Sequence, residues 1–355
     1  LVPKDAKVLV LYGGGSVKKF GTLDRVLAAL PNREILEFGG IEANPRYETL
    51  MKAVDLVRAE KIDFLLAVGG GSVIDGTKFI ALASYYEGDG LDLLRDRSIT
   101  ANLKQALTLA ATGSEMNRGG VVSSPIGKLG FGNDLVFPKF SLVDPSLTFT
   151  LPETQVANGV VDTFVHVMEQ YMTYPAEGRF QDRTSEGILK TLIEIGRATI
   201  DNPTDYDLRA NLVWCATMGL NGLIGAGVPQ DWATHRIGHE LTALFGIDHA
   251  KTLAIIMPSL WNIMRETKRE KLLQYGERVL NITTGSEENR IDQIIETTRQ
   301  FFESLGIKTR LSDYGIGADQ IDSILAALES HHMTSLGERG EITLEISRKI
   351  LEGAL

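Results

Sequence analysis

Three of the chain's six histidines, His235, His239 and His249, fall within DWATHRIGHELTALFGIDHAKTLAIIMP, residues 231–258. His235 and His239 are four apart, so on a helix they project from one face about a turn from each other. The run from Trp232 to Phe245 is rich in helix formers, Gly246 and Asp248 read as a stop and a turn, and His249 opens a second apolar helix. If the two helices pack as a hairpin, a histidine opening one faces a histidine of the other. Such a unit reads either as a metal site or as helix-face and cap histidines satisfied by neighbours. Position 236 is Arg, so H-E-x-x-H with its general-base glutamate is absent.

Upstream, NGVVDTFVHVMEQYM (158–172) sets Asp162 and His166 four apart on another apolar helix. A carboxylate and an imidazole on one such face are hard to bury without a partner. A divalent cation held among these helices supplies one, with Asp162, His166, His235 and His249 as ligands and His239 a turn away without binding it. Three neutral nitrogens and one carboxylate suit Fe(II), Zn(II), Co(II) or Ni(II) better than Mg or Ca.

Two glycine loops offer a second chemistry. Gly69, Gly70, Gly71 and Ser72 follow FLLAV and precede a helix expected from Val73. Glycines let a ligand approach the backbone, and a helix N-terminus presents unpaired N–H groups to phosphate. Gly13, Gly14, Gly15 and Ser16 follow KVLVLY and lead into Lys18 and Lys19. Neither loop is G-x-G-x-x-G or a Walker A sequence; the loop at 69–72 also reads as a tight turn, and that at 13–16 as a surface turn with solvated lysines. The first loop carries no acid to hold a ribose 2′-hydroxyl. A hydroxyl and two cations fit a 2′-phosphate instead, which points to NADP(H).

The elements that must position these groups fall into two kinds. Apolar runs at 7–12, 34–40 and 64–68 alternate with amphipathic stretches at 23–30, 47–61 and 73–86, and strand ends are expected at 108–117 and 140–145. Strand–helix alternation predicts a parallel α/β sheet of Rossmann-like type over residues 1–150. From 151 to 355 nearly everything reads helical, with helices near 154–172, 181–200, 205–226, 232–245, 251–264, 268–280, 288–305 and 318–329. An α/β nucleotide-binding domain followed by an all-α metal-binding domain is therefore expected, with ligands in a cleft between them. A net charge of −10 argues against nucleic acid or an anionic membrane as main partner. No apolar run is long enough to span a bilayer, and residues 1–12 do not read as a signal peptide. The lone Cys215 excludes an intramolecular disulfide, fits a reducing cytoplasm and reads as a buried small hydrophobe. Trp232 and Phe245 read as core or as the lining of an apolar substrate pocket, His331 and His332 as solvent-exposed, and Arg236 with Glu240 as a helix-face pair.

GGGSVIDGTKFIA, ATGSEMN, VANGVVDTFVHVMEQY and the long histidine stretch resemble signatures of the iron-containing (group III) alcohol dehydrogenase family. The likeness is to its NADPH-dependent aldehyde reductase and butanol dehydrogenase branch and spans nearly the whole chain. The resemblance implies Asp162, His166, His235 and His249 as metal ligands, His239 beside the nicotinamide, and Gly69 to Ser72 as the pyrophosphate loop. Gly14 falls where NAD-preferring members carry an aspartate. Asp75, Thr112 and Lys128 fall near positions that line the nucleotide. The family's pattern is longer at the chain start and near 101–106 and 124–128. It further implies a homodimer acting on small aldehydes or primary alcohols, in which a Lewis-acid cation polarises the carbonyl that receives hydride. Glycerol-dehydrogenase-like and dehydroquinate-synthase-like enzymes are the rivals on the same architecture.

Overall fold

β1 (Val8–Tyr12) is buried along its whole length, and its side chains alternate between two apolar layers. Leu9 and Leu11 pack with Leu50, Val54, Leu65 and Ile74, whereas Val8, Val10 and Tyr12 pack with Leu23, Phe64 and Val68. Burial on both faces is why the run is continuously apolar and forms an interior parallel strand. Each such aliphatic side chain contributes roughly 1.5–3 kcal/mol by leaving water. The computed structural model describes residues 1–110 and 114–355, with backbone only at 97, 101 and 108–110. The described chain divides into two compact units, Leu1–Val143 and Asp144–Leu355.

In the first unit β1 pairs with β2 (Ile35–Phe38) and β3 (Phe64–Val68), and β3 pairs with β4 (Thr108–Ala110), all parallel in the order β2-β1-β3-β4. The helices between them are α1 (Ser16–Lys19), α2 (Thr22–Ala28), α3 (Tyr47–Glu60), α4 (Gly71–Ala83), α5 (Asp92–Arg95) and α6 (Arg97–Asn102). An antiparallel hairpin not foreseen from the sequence, β5 (Gly119–Ser124) and β6 (Gly127–Gly132), packs on α4. Of the strand end expected at 140–145, the described residues show a single bridge residue, Ser141. Asp144 then caps a 3-10 turn, Pro145–Thr148, by accepting from the Ser146 N–H.

The order of strands fixes where a ligand can sit. From β1 the chain moves to one side, and after β2 it crosses to the other, so the direction reverses between β1 and β3. Open α/β sheets bind ligands at the carboxyl ends of strands at such a switch point. Tyr12 pairs with Val68, so both glycine loops emerge there side by side.

The second unit is α7 (Glu153–Tyr171), α8 (Arg179–Asp201), α9 (Tyr206–Leu220), α10 (Ala233–Phe245), α11 (His249–Ile263), α12 (Arg265–Arg278), α13 (Glu287–Ser304), α14 (Ile321–Ser330) and α15 (Leu344–Gly353), with a short ladder of β7 (Ser335–Leu336) and β8 (Ile342–Thr343). α9 stops at Leu220, short of the expected 226, because Gly222 turns the chain at φ 91°. α7 lies against α8, α9 and α11 and is buried on most of its circumference. No helix among the described residues is long and apolar enough to cross a membrane.

Candidate metal centre and nucleotide loops

α10 and α11 pack on each other and α11 on α7. Gly246 ends α10 in the left-handed conformation at φ 69°, which a side chain would strain. At Gly238 a Cβ would stand 2.8 Å from Thr252 Oγ1, so a bare backbone lets α10 meet α11 this closely. Asp248 anchors the start of α11 by pairing with Lys251 at 2.7 Å and accepting from Asn158 Nδ2 of α7 at 3.3 Å.

This hairpin brings Asp162, His235 and His249 together, with one ligand atom from each within 4.8 Å of the others. Asp162 Oδ1 lies 3.9 Å from His235 Nε2 and 3.7 Å from His249 Nε2. Asp162 Oδ1 and His235 Nε2 are both shielded from water and have no hydrogen-bond partner among the described residues. These separations exceed a hydrogen bond. Two atoms each bonded to one ion at ~2.0–2.2 Å stand roughly 3–4 Å apart, so the donors fit a divalent cation in both chemistry and spacing.

His166 lies beside this trio. Its Nδ1 is 3.8 Å from Asp162 Oδ1, and its ring stacks on that of His235 at 4.7 Å. Burial lowers its pKa below 6.5 despite the nearby Asp162 carboxylate, which favours the neutral form that a ligand needs. His239, also buried, has its ring 5.1 Å from that of His249 and 6.2 Å from that of His235, outside the trio. Trp232 is half-buried rather than core, held at φ 68° with its ring 5.3 Å from His235 and 6.1 Å from His166. Phe245 packs against the helical core while only partly buried.

Several supporting groups escaped the sequence reading. Glu169 follows Asp162 and His166 on the same face of α7, a position visible from the 4-then-3 spacing, and both its carboxylate oxygens meet His235. Lys268, only 1% exposed, donates to Asp231 at 2.7 Å, Glu338 at 3.1 Å and the Met172 carbonyl at 2.8 Å. It thereby ties the residue after α7 to the approach of α10. Glu240 is buried rather than on a solvated helix face and pairs with His331 Nδ1 at 2.8 Å, and His331 is half-buried rather than exposed. Cys215 is buried, and burial pushes its thiol up to about 11.

In the first unit α4 begins at Gly71, two residues before the expected Val73, with Gly70 as its N-cap. A Cβ at Gly69 would come within 2.7 Å of Val73 Cγ2, whereas one at Gly70 or Gly71 would meet nothing within 4 Å among the described residues. The loop is therefore packed underneath and open above, as a phosphate cradle requires. Gly13 also lies against Val73 and the Ile41 carbonyl, and Gly14 is open. Ser16 opens α1, and Lys18 within it lies over the Tyr12 ring at 4.8 Å. No acid stands in this loop, but the fold brings one from β2, with Glu37 Oε2 3.8 Å from Lys18 Nζ.

Asp75 accepts from the Val121 N–H at 3.0 Å, anchoring the hairpin to α4. Burial raises its pKa against the attraction of Lys78 and, more weakly, Lys128 of β6. Lys78 itself is fully buried and donates to Ser114, Asn117 and the Gly119 carbonyl. Ser72 Oγ accepts from the Asn44 N–H at 3.3 Å. Thr112 lies outside the described residues.

The sequence matches the family models for iron-containing alcohol dehydrogenase over residues 1–145 and for the C-terminal domain of the Fe-containing alcohol dehydrogenase family over residues 156–351. The chain belongs to the iron-containing alcohol dehydrogenase family. Within this family it is 58% identical to the NADPH-dependent aldehyde reductase YqhD of Escherichia coli, over 99% of this chain and 93% of that protein. It is 38% identical to the NADH-dependent butanol dehydrogenase A of Clostridium acetobutylicum, over 97% and 92%. Among solved structures, that of E. coli YqhD matches with a TM-score of 0.97 at 55% identity, covering 100% of this chain and 93% of the other. The Rossmann-like α/β unit followed by a helical unit is thus the architecture of solved family members.

Proposed function

We propose that this chain is a metal-dependent oxidoreductase that moves hydride between NADP(H) and small aldehydes or primary alcohols, working mainly as an aldehyde reductase. The observation that carries the reading is the pair of buried, unpartnered ligand atoms, Asp162 Oδ1 and His235 Nε2, facing each other with His249 Nε2 alongside. His166, stacked on His235, is the fourth ligand in this reading. The first unit is assigned to NADP(H), with Gly69 to Ser72 at the pyrophosphate and Gly13, Gly14, Ser16 and Lys18 at the 2′-phosphate. The NADPH-dependent relative at 58% identity supports that choice over NADH, on which some more distant relatives depend.

When bound, the two groups supply Lewis acidity from the cation and hydride from the reduced nicotinamide. The protein's own part is placement. Asp162, His235 and His249 would hold the cation at one fixed point, where it would stabilise the negative charge that develops on the substrate oxygen in the transition state. Trp232 packs its ring against those of His166 and His235. His239 stands a turn from His235 without joining the trio, and the proton that the product oxygen takes would come by way of water, a ribose hydroxyl or His239. A homodimer in the cytoplasm completes the reading, resting on the family resemblance and, for the compartment, on the lone buried cysteine.

The test is cofactor oxidation over a panel of straight-chain aldehydes, with metal analysis of the same preparation. Turnover with NADPH above that with NADH, lost on chelation and restored by Fe(II) or Zn(II), is the expected result. Full activity in protein verified to be metal-free would overturn the proposal.

A further inference from the structure

Glu169 is 4% exposed and spends both carboxylate oxygens on one residue. Oε1 accepts from the His235 backbone N–H at 3.3 Å, and Oε2 meets His235 Nδ1. Its own carbonyl accepts from the Asp231 N–H at 2.8 Å, so the segment entering α10 is locked to α7 at the same point. A carboxylate can only accept, and a backbone N–H can only donate. For Nδ1 to meet the second oxygen it must carry the imidazole proton, which leaves the lone pair on Nε2. That is the buried nitrogen facing Asp162 Oδ1 at 3.9 Å.

Resting on the metal-centre reading above, we propose that Glu169 is a positioning residue that selects the Nδ1–H tautomer of His235 and so presents a ligand-ready Nε2 before any ion arrives. A histidine ligand is oriented by the acceptor on its other nitrogen, and losing that acceptor costs metal affinity. The geometry is more specific than that rule, because two donors from one residue face two acceptor atoms. Glutamine has the same shape but only one acceptor. Opposite two donors it must turn its amide N–H₂ toward one of them. The backbone N–H cannot change role, whereas imidazole can, so Glu169→Gln should place N–H₂ against Nδ1 and drive the proton to Nε2. An isosteric change at a residue that is no ligand would then block the ligand nitrogen.

The experiment uses the full chain, stripped of metal and labelled with ¹⁵N-histidine, as wild type and as Glu169→Gln. Long-range ¹H–¹⁵N spectra report the tautomer, with the His235 signals identified by their loss in His235→Ala. Zinc affinity is then measured in both proteins against a competing chelator. The expected results are Nδ1–H in the wild type, Nε2–H in Glu169→Gln, and zinc binding weakened by about 10–100-fold. An Nε2–H tautomer in the wild type overturns the proposal even if the variant fails to fold. So does a folded Glu169→Gln protein with wild-type tautomer and zinc affinity. If the wild type binds no zinc through His235 while the tautomers switch as described, the metal-centre reading fails and tautomer selection stands.

Discussion

Replacing Lys268 by methionine keeps most of its volume and removes one charge from a buried trio. Lys268 is 1% exposed, and the side chains of Asp231 and Glu338 are 5% and 4% exposed, so none of the three has water to fall back on. The ammonium makes three bonds, to both carboxylates and to the Met172 carbonyl. Without it two carboxylates are left buried at close quarters. Breaking a buried ion pair from one side costs about 3–5 kcal/mol, and that is the loss expected for Lys268→Met at neutral pH. The loss should also depend on pH. Burial already raises the Asp231 pKa from 3.8, with Lys268 opposing that shift and Glu338 adding to it. Removing Lys268 raises it further above the unfolded value. The folded variant then binds the extra proton, so its deficit should shrink as pH falls from about 7 toward 5. All three tryptophans, Trp214, Trp232 and Trp261, lie in the helical unit, so their fluorescence during urea unfolding reports that unit alone. A deficit under about 1 kcal/mol, in the range of exposed pairs, or one that does not change with pH, would refute the reasoning.

At Gly14 a Cβ would meet no atom within 4 Å, so Gly14→Asp should fold and set a carboxylate against the 2′-phosphate. The ratio of kcat/KM for NADPH over NADH should fall by about tenfold or more, and an unchanged ratio would remove this loop from the cofactor site. His239→Ala should lower kcat by about 10²–10⁴-fold if the imidazole delivers the proton, and a smaller loss leaves it only a positioning role. Burial holds the Lys78 ammonium down to about 8, against the attraction of Asp75 and Glu115. Its folded pKa thus lies below the unfolded 10.5, and between those values the unfolded chain binds the extra proton. Its contribution to stability therefore rises with pH, so wild type should gain on Lys78→Met from about pH 8 to about pH 10, by circular dichroism in denaturant. A flat or falling difference would contradict this.

The convergence of Asp162, His235 and His249 was legible because it is written in helical spacing. Asp162 with His166 and His235 with His239 are i, i+4 pairs, and Gly246 marks the turn that folds His249 back. The parallel sheet was legible from runs apolar on both faces, such as Val8–Tyr12. What escaped depends on contacts between segments far apart in sequence. Glu169 meets His235 across 66 positions, and Lys268 meets Glu338 across 70. No local pattern announces either, since a Glu or Lys on a helix is ordinarily a solvated face. His331 was misread for the same reason, because its partner Glu240 lies 91 positions away. Glu37 reaches Lys18 only because β2 lies beside β1, so the charge around the first loop could not be read from the loop itself. α15 is different: its apolar residues Leu344, Ile350 and Leu351 and its Thr343 cap were visible and were passed over.

Metal content of single-residue variants tests the centre most directly, since it does not depend on which aldehyde or cofactor is supplied. Asp162→Ala, His166→Ala, His235→Ala, His249→Ala and His239→Ala, purified and reconstituted with zinc beside the wild type, are measured by elemental analysis. The expected result is a full complement of zinc in the wild type and in His239→Ala, with strong loss in the other four. His239→Ala without metal beside a zinc-replete His235→Ala would make His239 rather than His235 the ligand from α10, one helical turn along.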